Sequence, residues 1–122
     1  MKYLGILILI GLSVTALAGA EQSLSSAELE QLMSREQDAP ILIDVRTPAE
    51  FAAGHIPGAV NIPYDLLAGS LPTEDREDTI VVYCRSGRRS AIAKNTLESL
   101  GFTRVLDFGG INRWEGSLVV PD

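Results

Sequence analysis

The chain has one cysteine, Cys84, and one histidine, His55, and each scarcity removes a class of chemistry. A single thiol forms no internal disulfide, so no cross-linked framework is expected. With no ligand spacing around either residue, no metal site is expected, and no cofactor is called for. Basic residues are also few: 10 Lys and Arg stand against 16 Asp and Glu, for a formal net charge of −6. That balance excludes a general binder of nucleic acid or of anionic membrane surfaces. No apolar run reaches the roughly 20 residues that span a bilayer, and there is no internal repeat or low-complexity tract.

The longest apolar stretch, Leu4 to Leu17, is broken only by Ser13 and Thr15 among its non-polar residues. Lys2 precedes it and the small residues Ala18-Gly19-Ala20 follow it. This pattern predicts a secretory signal peptide over residues 1–20, cleaved before Glu21. Leu17-Ala18-Gly19-Ala20 has alanine where a lipoprotein box carries its cysteine, so lipidation is not expected. Residues 21–122 then form a single domain of 102 residues, and loss of Lys2 takes the net charge from −6 to −7. The expected destination is the periplasm, or the medium where there is no outer membrane. No stable membrane association is expected after cleavage, and nothing in the pattern calls for more than a monomer.

In an oxidising compartment a lone cysteine is inertly buried, paired with another molecule, or a reactive thiol. Cys84 ends the β-branched run Val81-Val82-Tyr83 and opens Arg85-Ser86-Gly87-Arg88-Arg89-Ser90, after which a helical segment begins. A thiol placed there faces backbone N–H groups with no intrahelical partner and the positive end of a helix dipole. Ordinary cysteine, with a pKa near 8.5, is only a few per cent thiolate at neutral pH, and such surroundings lower that pKa. Three arginines within five positions reverse the sign of an acidic chain around its one thiol. The polar flanks Arg85, Ser86 and Gly87 argue against apolar burial of Cys84.

The remaining elements alternate. Ser25 to Glu28 fits a capping box opening a helix to about Arg35, with Leu29 and Leu32 or Met33 inward. Ile41-Leu42-Ile43-Asp44-Val45 reads as a buried parallel strand. Thr47-Pro48-Ala49-Glu50 is a second capping box with proline at the first helical position, and Gly54 stops the short helix. A turn-rich link leads to a strand near Ala59 to Ile62. Tyr64 to Leu71 is read as one helical turn or two. Thr79 to Tyr83 delivers Cys84, and the next helix buries Ala93, Leu97 and Leu100, with Gly101 at its C′ position. Val105 to Asp107 is a last short strand, and Gly109 to Trp114 turns into a terminal helical piece. This order predicts an α/β fold with a largely parallel sheet, its ligand site outside the carboxyl ends of the strands.

Four motifs in order carry a family likeness: Ile43-Asp44-Val45-Arg46 with Glu50-Phe51; Gly54-His55-Ile56-Pro57-Gly58-Ala59; Cys84 to Ser90; and Gly109-Gly110 with Trp114. Over nearly all of residues 21–122 the chain resembles a single-domain rhodanese, a thiosulfate sulfurtransferase-like protein of the small exported bacterial type. The resemblance implies a five-stranded, mainly parallel sheet with helices on both faces. It implies that Cys84 carries the transferred sulfur as a persulfide and that Arg85, Ser86, Gly87, Arg88, Arg89 and Ser90 form the cradle. It places Asp44, Arg46, Glu50 and His55 at positions that brace the active-site edge. The implied partners are a small-molecule sulfur donor such as thiosulfate and an acceptor such as cyanide or a thiol.

Three other readings compete. A cysteine-dependent phosphatase or arsenate reductase needs C-x5-R, but here Ser90 holds that place and arginine falls one position early at Arg89. Tyr83 also stands where many such phosphatases carry histidine. A non-catalytic binding module is disfavoured by the intact cationic loop, while a persulfide carrier for a partner protein shares the half-reaction and stays open. For the other residues the bland roles are favoured: a turn histidine bonded to backbone, an ion-paired brace of Asp44 and Glu50 around Arg46, and Trp114 as a packing residue with its N–H satisfied.

Overall fold

The computed structural model describes residues 24–121; the expected signal peptide lies outside the described residues. Helix α1 (Ser26–Met33) opens on the expected capping box. The Ser25 hydroxyl accepts from the Glu28 amide (3.1 Å), and the Glu28 carboxylate accepts from the Ser25 amide (2.8 Å). Strand β1 (Ile41–Asp44) is followed by the short helix α2 (Pro48–Ala53), whose Thr47 and Glu50 form the second box. Strand β2 (Val60–Asn61) and a 3-10 turn at Leu67–Gly69 lead to strand β3 (Ile80–Cys84). Helix α3 (Arg88–Ser99), strand β4 (Val105–Gly110) and a 3-10 turn at Ile111–Arg113 complete the fold.

The four strands form one sheet in the order β2-β1-β3-β4, and every neighbouring pair is parallel. The resemblance implied five strands; among the described residues there are four. They correspond to the four segments whose composition reads as strand; outside the sheet, His55 and Val119 form an isolated antiparallel bridge.

Strand alternation sends side chains to two separate cores. Ile43, Ile80, Val82 and Cys84 pack with Ala93 and Leu97 of α3, together with Leu67, Phe102 and Val105. Leu42, Val81 and Tyr83 pack on the opposite face with Leu29 of α1, Ile56 and Phe108. Helices therefore cover both faces, and all five residues of β3 are buried. Full burial of each large apolar side chain contributes about 1.5–3 kcal/mol relative to exposure. Leu100, expected inward, is half-buried at the C-cap of α3.

Strand β4 runs three residues beyond the Val105–Asp107 expected for it. A bulge makes this possible: Val82 pairs with Asp107, but Tyr83 pairs with Gly109, leaving Phe108 as the extra residue. The Asp107 carboxylate accepts from the Gly109 amide at 2.8 Å and holds the kink. Trp114 packs against the α1-side core and donates its indole N–H to the Ser117 carbonyl at 3.0 Å.

Tyr83 ties β3 to the link that follows α2. Its phenol oxygen accepts from the buried Ile56 amide at 3.0 Å, and burial pushes its pKa well above the ordinary range, so it stays neutral. Tyr83→Phe leaves that amide without its acceptor and is expected to cost about 1–3 kcal/mol. Urea unfolding checks this: the midpoint falls with an unchanged slope.

Candidate active site

Asp44 pairs with Tyr83 and Cys84 pairs with Gly110, so the ends of β1, β3 and β4 share the carboxyl edge of the sheet. The loop Arg85–Gly87 turns the chain there from β3 into α3. Gly87 is the N-cap of α3 with φ of +102°, a left-handed conformation that side chains rarely adopt, and it offers no capping side chain. The sulfur of Cys84 lies against this start of the helix. The Gly87 amide donates to Sγ at 3.0 Å; the thiol donates to the Ser90 hydroxyl oxygen at 3.5 Å, and that hydroxyl, 3.2 Å from the Gly87 carbonyl, turns its one proton to the sulfur when the thiol ionises.

Cys84 has no exposed surface, which corrects the expectation that its polar flanks keep it out of burial. Its strand belongs wholly to the core, and the loop closes over it with Arg85 and Ser86 on the outside. One side of the sulfur meets the α3-side core, and the other meets amides. Burial works against the anion. Hydrogen bonds from the Ser90 hydroxyl and from the amides of Ser90, Gly87 and Ser86 outweigh it, so the thiol pKa is held below its ordinary value.

Gly110 is the floor of this loop. A Cβ there would stand 2.7 Å from the Arg85 carbonyl oxygen and 3.3 Å from the Ser86 Cα, so only glycine lets β4 approach so closely. Arg113 ties the same segment down by donating to the Phe108 carbonyl while lying over the Phe108 ring.

The expected brace residues separate into two ion pairs and one histidine. Asp44 is buried and accepts from the Arg46 amide (2.9 Å), Nε (3.0 Å) and Nη2 (2.6 Å). Arg46 Nη2 also donates to the Gly54 carbonyl at 2.7 Å, fastening the end of α2 to β1. Glu50 does not join Arg46, as the sequence reading had it; it pairs with Arg89, 2.8 Å from Nη1 to Oε1 and 3.0 Å from Nη2 to Oε2. Arg89, grouped with the anion-binding cations of the loop, is thus already matched by a carboxylate. The side-chain bonds from Arg89, followed by the Thr47 amide, push the Glu50 carboxyl down to about 2. Its charge therefore persists from neutral pH into strong acid. Arg85 and Arg88 are exposed and form no ion pair among the described residues.

His55 Nδ1 donates to the Phe51 carbonyl at 3.0 Å, and its ring stacks on Phe51 with centroids 3.7 Å apart. It makes no bond to Cys84. Among the described residues no three His, Cys, Asp or Glu side chains gather as metal ligands, and no helix is long and apolar enough to cross a membrane.

Two residues important to the edge were not singled out individually from the sequence. Asn61 donates to the Asp44 carbonyl (2.9 Å) and the Arg46 carbonyl (3.0 Å), holding the turn after β1. Nothing in its local sequence marks those acceptors, which lie 15 and 17 residues back. Gly110 was visible as half of a glycine doublet, but its contact with Arg85 exists only in three dimensions.

Comparison with known proteins gives a consistent result. A family model described as a rhodanese-like domain matches residues 25–117. A sulfurtransferase of Allochromatium vinosum is 39% identical over 92 residues, covering 75% of this chain and 85% of the relative. A thiosulfate sulfurtransferase of Escherichia coli is 41% identical over 73 residues, covering 57% of this chain and 68% of the relative. Among solved structures, a human single-domain sulfurtransferase superposes with a TM-score of 0.70 at 30% identity, covering 80% of this chain and all of that one.

If the Ser90 hydroxyl stabilises the sulfur anion, Ser90→Ala raises the Cys84 pKa. The ultraviolet absorbance of the thiolate, followed against pH, should show its midpoint moving up toward that of ordinary cysteine.

Proposed function

The chain belongs to the rhodanese-like domain family, and from that membership we propose that it is a sulfurtransferase working through a persulfide on Cys84, with thiosulfate or a related anion as donor. The observation that carries this reading is the buried Cys84 sulfur at the carboxyl end of β3, with the Gly87 amide 3.0 Å and the Ser90 hydroxyl 3.5 Å from it, contacts that favour the anion despite burial. The curated relatives from Allochromatium vinosum and Escherichia coli, named as sulfurtransferases, support the reaction class.

The chemistry needs only what these residues supply. The Cys84 thiolate attacks the outer sulfur of thiosulfate; a new S–S bond forms, the old one breaks, and its electron pair leaves with sulfite as a dianion. The enzyme keeps a persulfide anion. Cyanide or a thiolate then attacks the outer sulfur, and Cys84 departs as thiolate. Neither transfer requires a proton, which agrees with a site whose only histidine is bonded elsewhere. Amide donors at the sulfur stabilise the thiolate that attacks and the thiolate that departs. The exposed guanidinium groups of Arg85 and Arg88 draw in the dianionic donor, an effect that salt screens. A phosphatase reading needs a loop arginine directed at an oxyanion, and Arg89 is committed to Glu50.

With residues 1–20 read as a cleaved leader, we place the reaction outside the cytoplasm. The acceptor is a small thiophile or a partner's thiol.

Intact mass after incubation with thiosulfate tests the reading. A gain of one sulfur atom, removed by cyanide and absent in Cys84→Ser, is expected; an unchanged mass would overturn it. The same spectrum reports whether the mature chain begins at Glu21. Replacing Arg85 and Arg88 with alanine should raise KM for thiosulfate with a smaller change in kcat, because they bind charge that donor and transition state share.

A further inference from the structure

The Glu50–Arg89 pair joins two elements that little else holds together. Helix α2 is six residues long and has no fully buried side chain within it. Helix α3 begins without a side-chain cap, and Arg89 is its second residue. The Glu50 carboxylate is fixed from both sides. Oε1 accepts from the Thr47 amide at 3.0 Å and from Arg89 Nη1 at 2.8 Å, while Oε2 accepts from Nη2 at 3.0 Å. A planar fork of this kind sets direction as well as distance. Arg89 lies in the first turn of α3 beside Ser90, whose hydroxyl is 3.5 Å from the Cys84 sulfur.

We propose that Glu50 is a positioning residue for sulfur transfer: by clamping Arg89 it holds the first turn of α3, with its Ser90 donors, on the Cys84 sulfur. The clamp also takes Arg89 out of substrate recognition and leaves the donor's charge to Arg85 and Arg88. This rests on the sulfurtransferase reading for its consequence in turnover, though not for its effect on the thiol.

The two effects of removing Glu50 have opposite signs, which makes the test decisive. Loss of a nearby negative charge, by itself, lowers the Cys84 pKa and improves binding of an anionic donor. Loss of the clamp loosens the donors around sulfur, raises that pKa and slows transfer. Glu50→Gln keeps the side chain's size and an oxygen for Thr47 but ends the charge pair. The expected result is a higher thiolate midpoint by ultraviolet absorbance, and kcat lower by about tenfold or more, with KM for thiosulfate changed far less. Arg89→Ala should show the same pattern, and the double variant should be no worse than either single one. Arg89→Lys keeps the charge without the fork and should fall between, which guards against simple unfolding of the alanine variant.

An unchanged or lowered thiolate midpoint in folded Glu50→Gln would overturn the proposal. So would a rise in KM without loss of kcat in Arg89→Ala, since that would make Arg89 a donor-binding residue. Should the unmodified protein take up no sulfur from thiosulfate, the sulfurtransferase reading fails separately, and the thiolate midpoint still decides whether the clamp orders the loop.

Discussion

The sulfur of Cys84 lies against the start of helix α3. Helix α3 begins on Gly87, which has no side chain to cap it, and the Gly87 amide itself donates to the sulfur. One contact thus serves two ends. It satisfies a backbone donor of the loop, and it makes negative charge favourable on a group with no exposed surface. Burial alone would push the thiol toward neutrality; oriented dipoles reverse that outcome. The rest of the fold can be understood by how it keeps the amides and the sulfur in register.

Three supports meet at the carboxyl edge. Strand β3, buried along its whole length between two cores, fixes Cys84 itself. The bulge in β4 brings Gly110 beneath the loop, close enough that a methyl group would strike the Arg85 carbonyl. The Glu50–Arg89 pair ties the start of α3 to α2, and the buried Asp44–Arg46 pair ties the other end of α2 to β1 through the Gly54 carbonyl. Each charged pair therefore joins chain segments. A buried pair adds little net stability once desolvation is counted, but removing one partner is costly.

Much of this was legible before any coordinates. Strand β3, the cationic turn and helix α3 announce themselves by a β-branched run, a glycine and the Ala93–Leu97 spacing. Both capping boxes lie within four residues, so local sequence determines them. What escaped was long-range. The partner of Arg89 lies 39 residues away, and a guanidinium beside a reactive thiol reads naturally as a substrate ligand until its carboxylate is seen. Arg46 stands four residues before Glu50 and was the nearer candidate for it, yet the carboxylate it pairs with is that of Asp44. The burial of Cys84 was misjudged because its flanking residues are polar; those residues form the cover, while the strand behind them forms the core. The fifth strand came from family likeness; among the described residues the sheet has four, with an isolated bridge of His55 to Val119 outside it.

The central claim is that backbone amides hold the sulfur as an anion, and amide proton resonances report that directly. In a pH titration followed by nuclear magnetic resonance, the Gly87 and Ser90 amide signals should move together with one midpoint, below the ordinary cysteine value near 8.5, and should lose that transition in Cys84→Ser. Amides that do not respond, or a midpoint at or above that of free cysteine, would contradict the account.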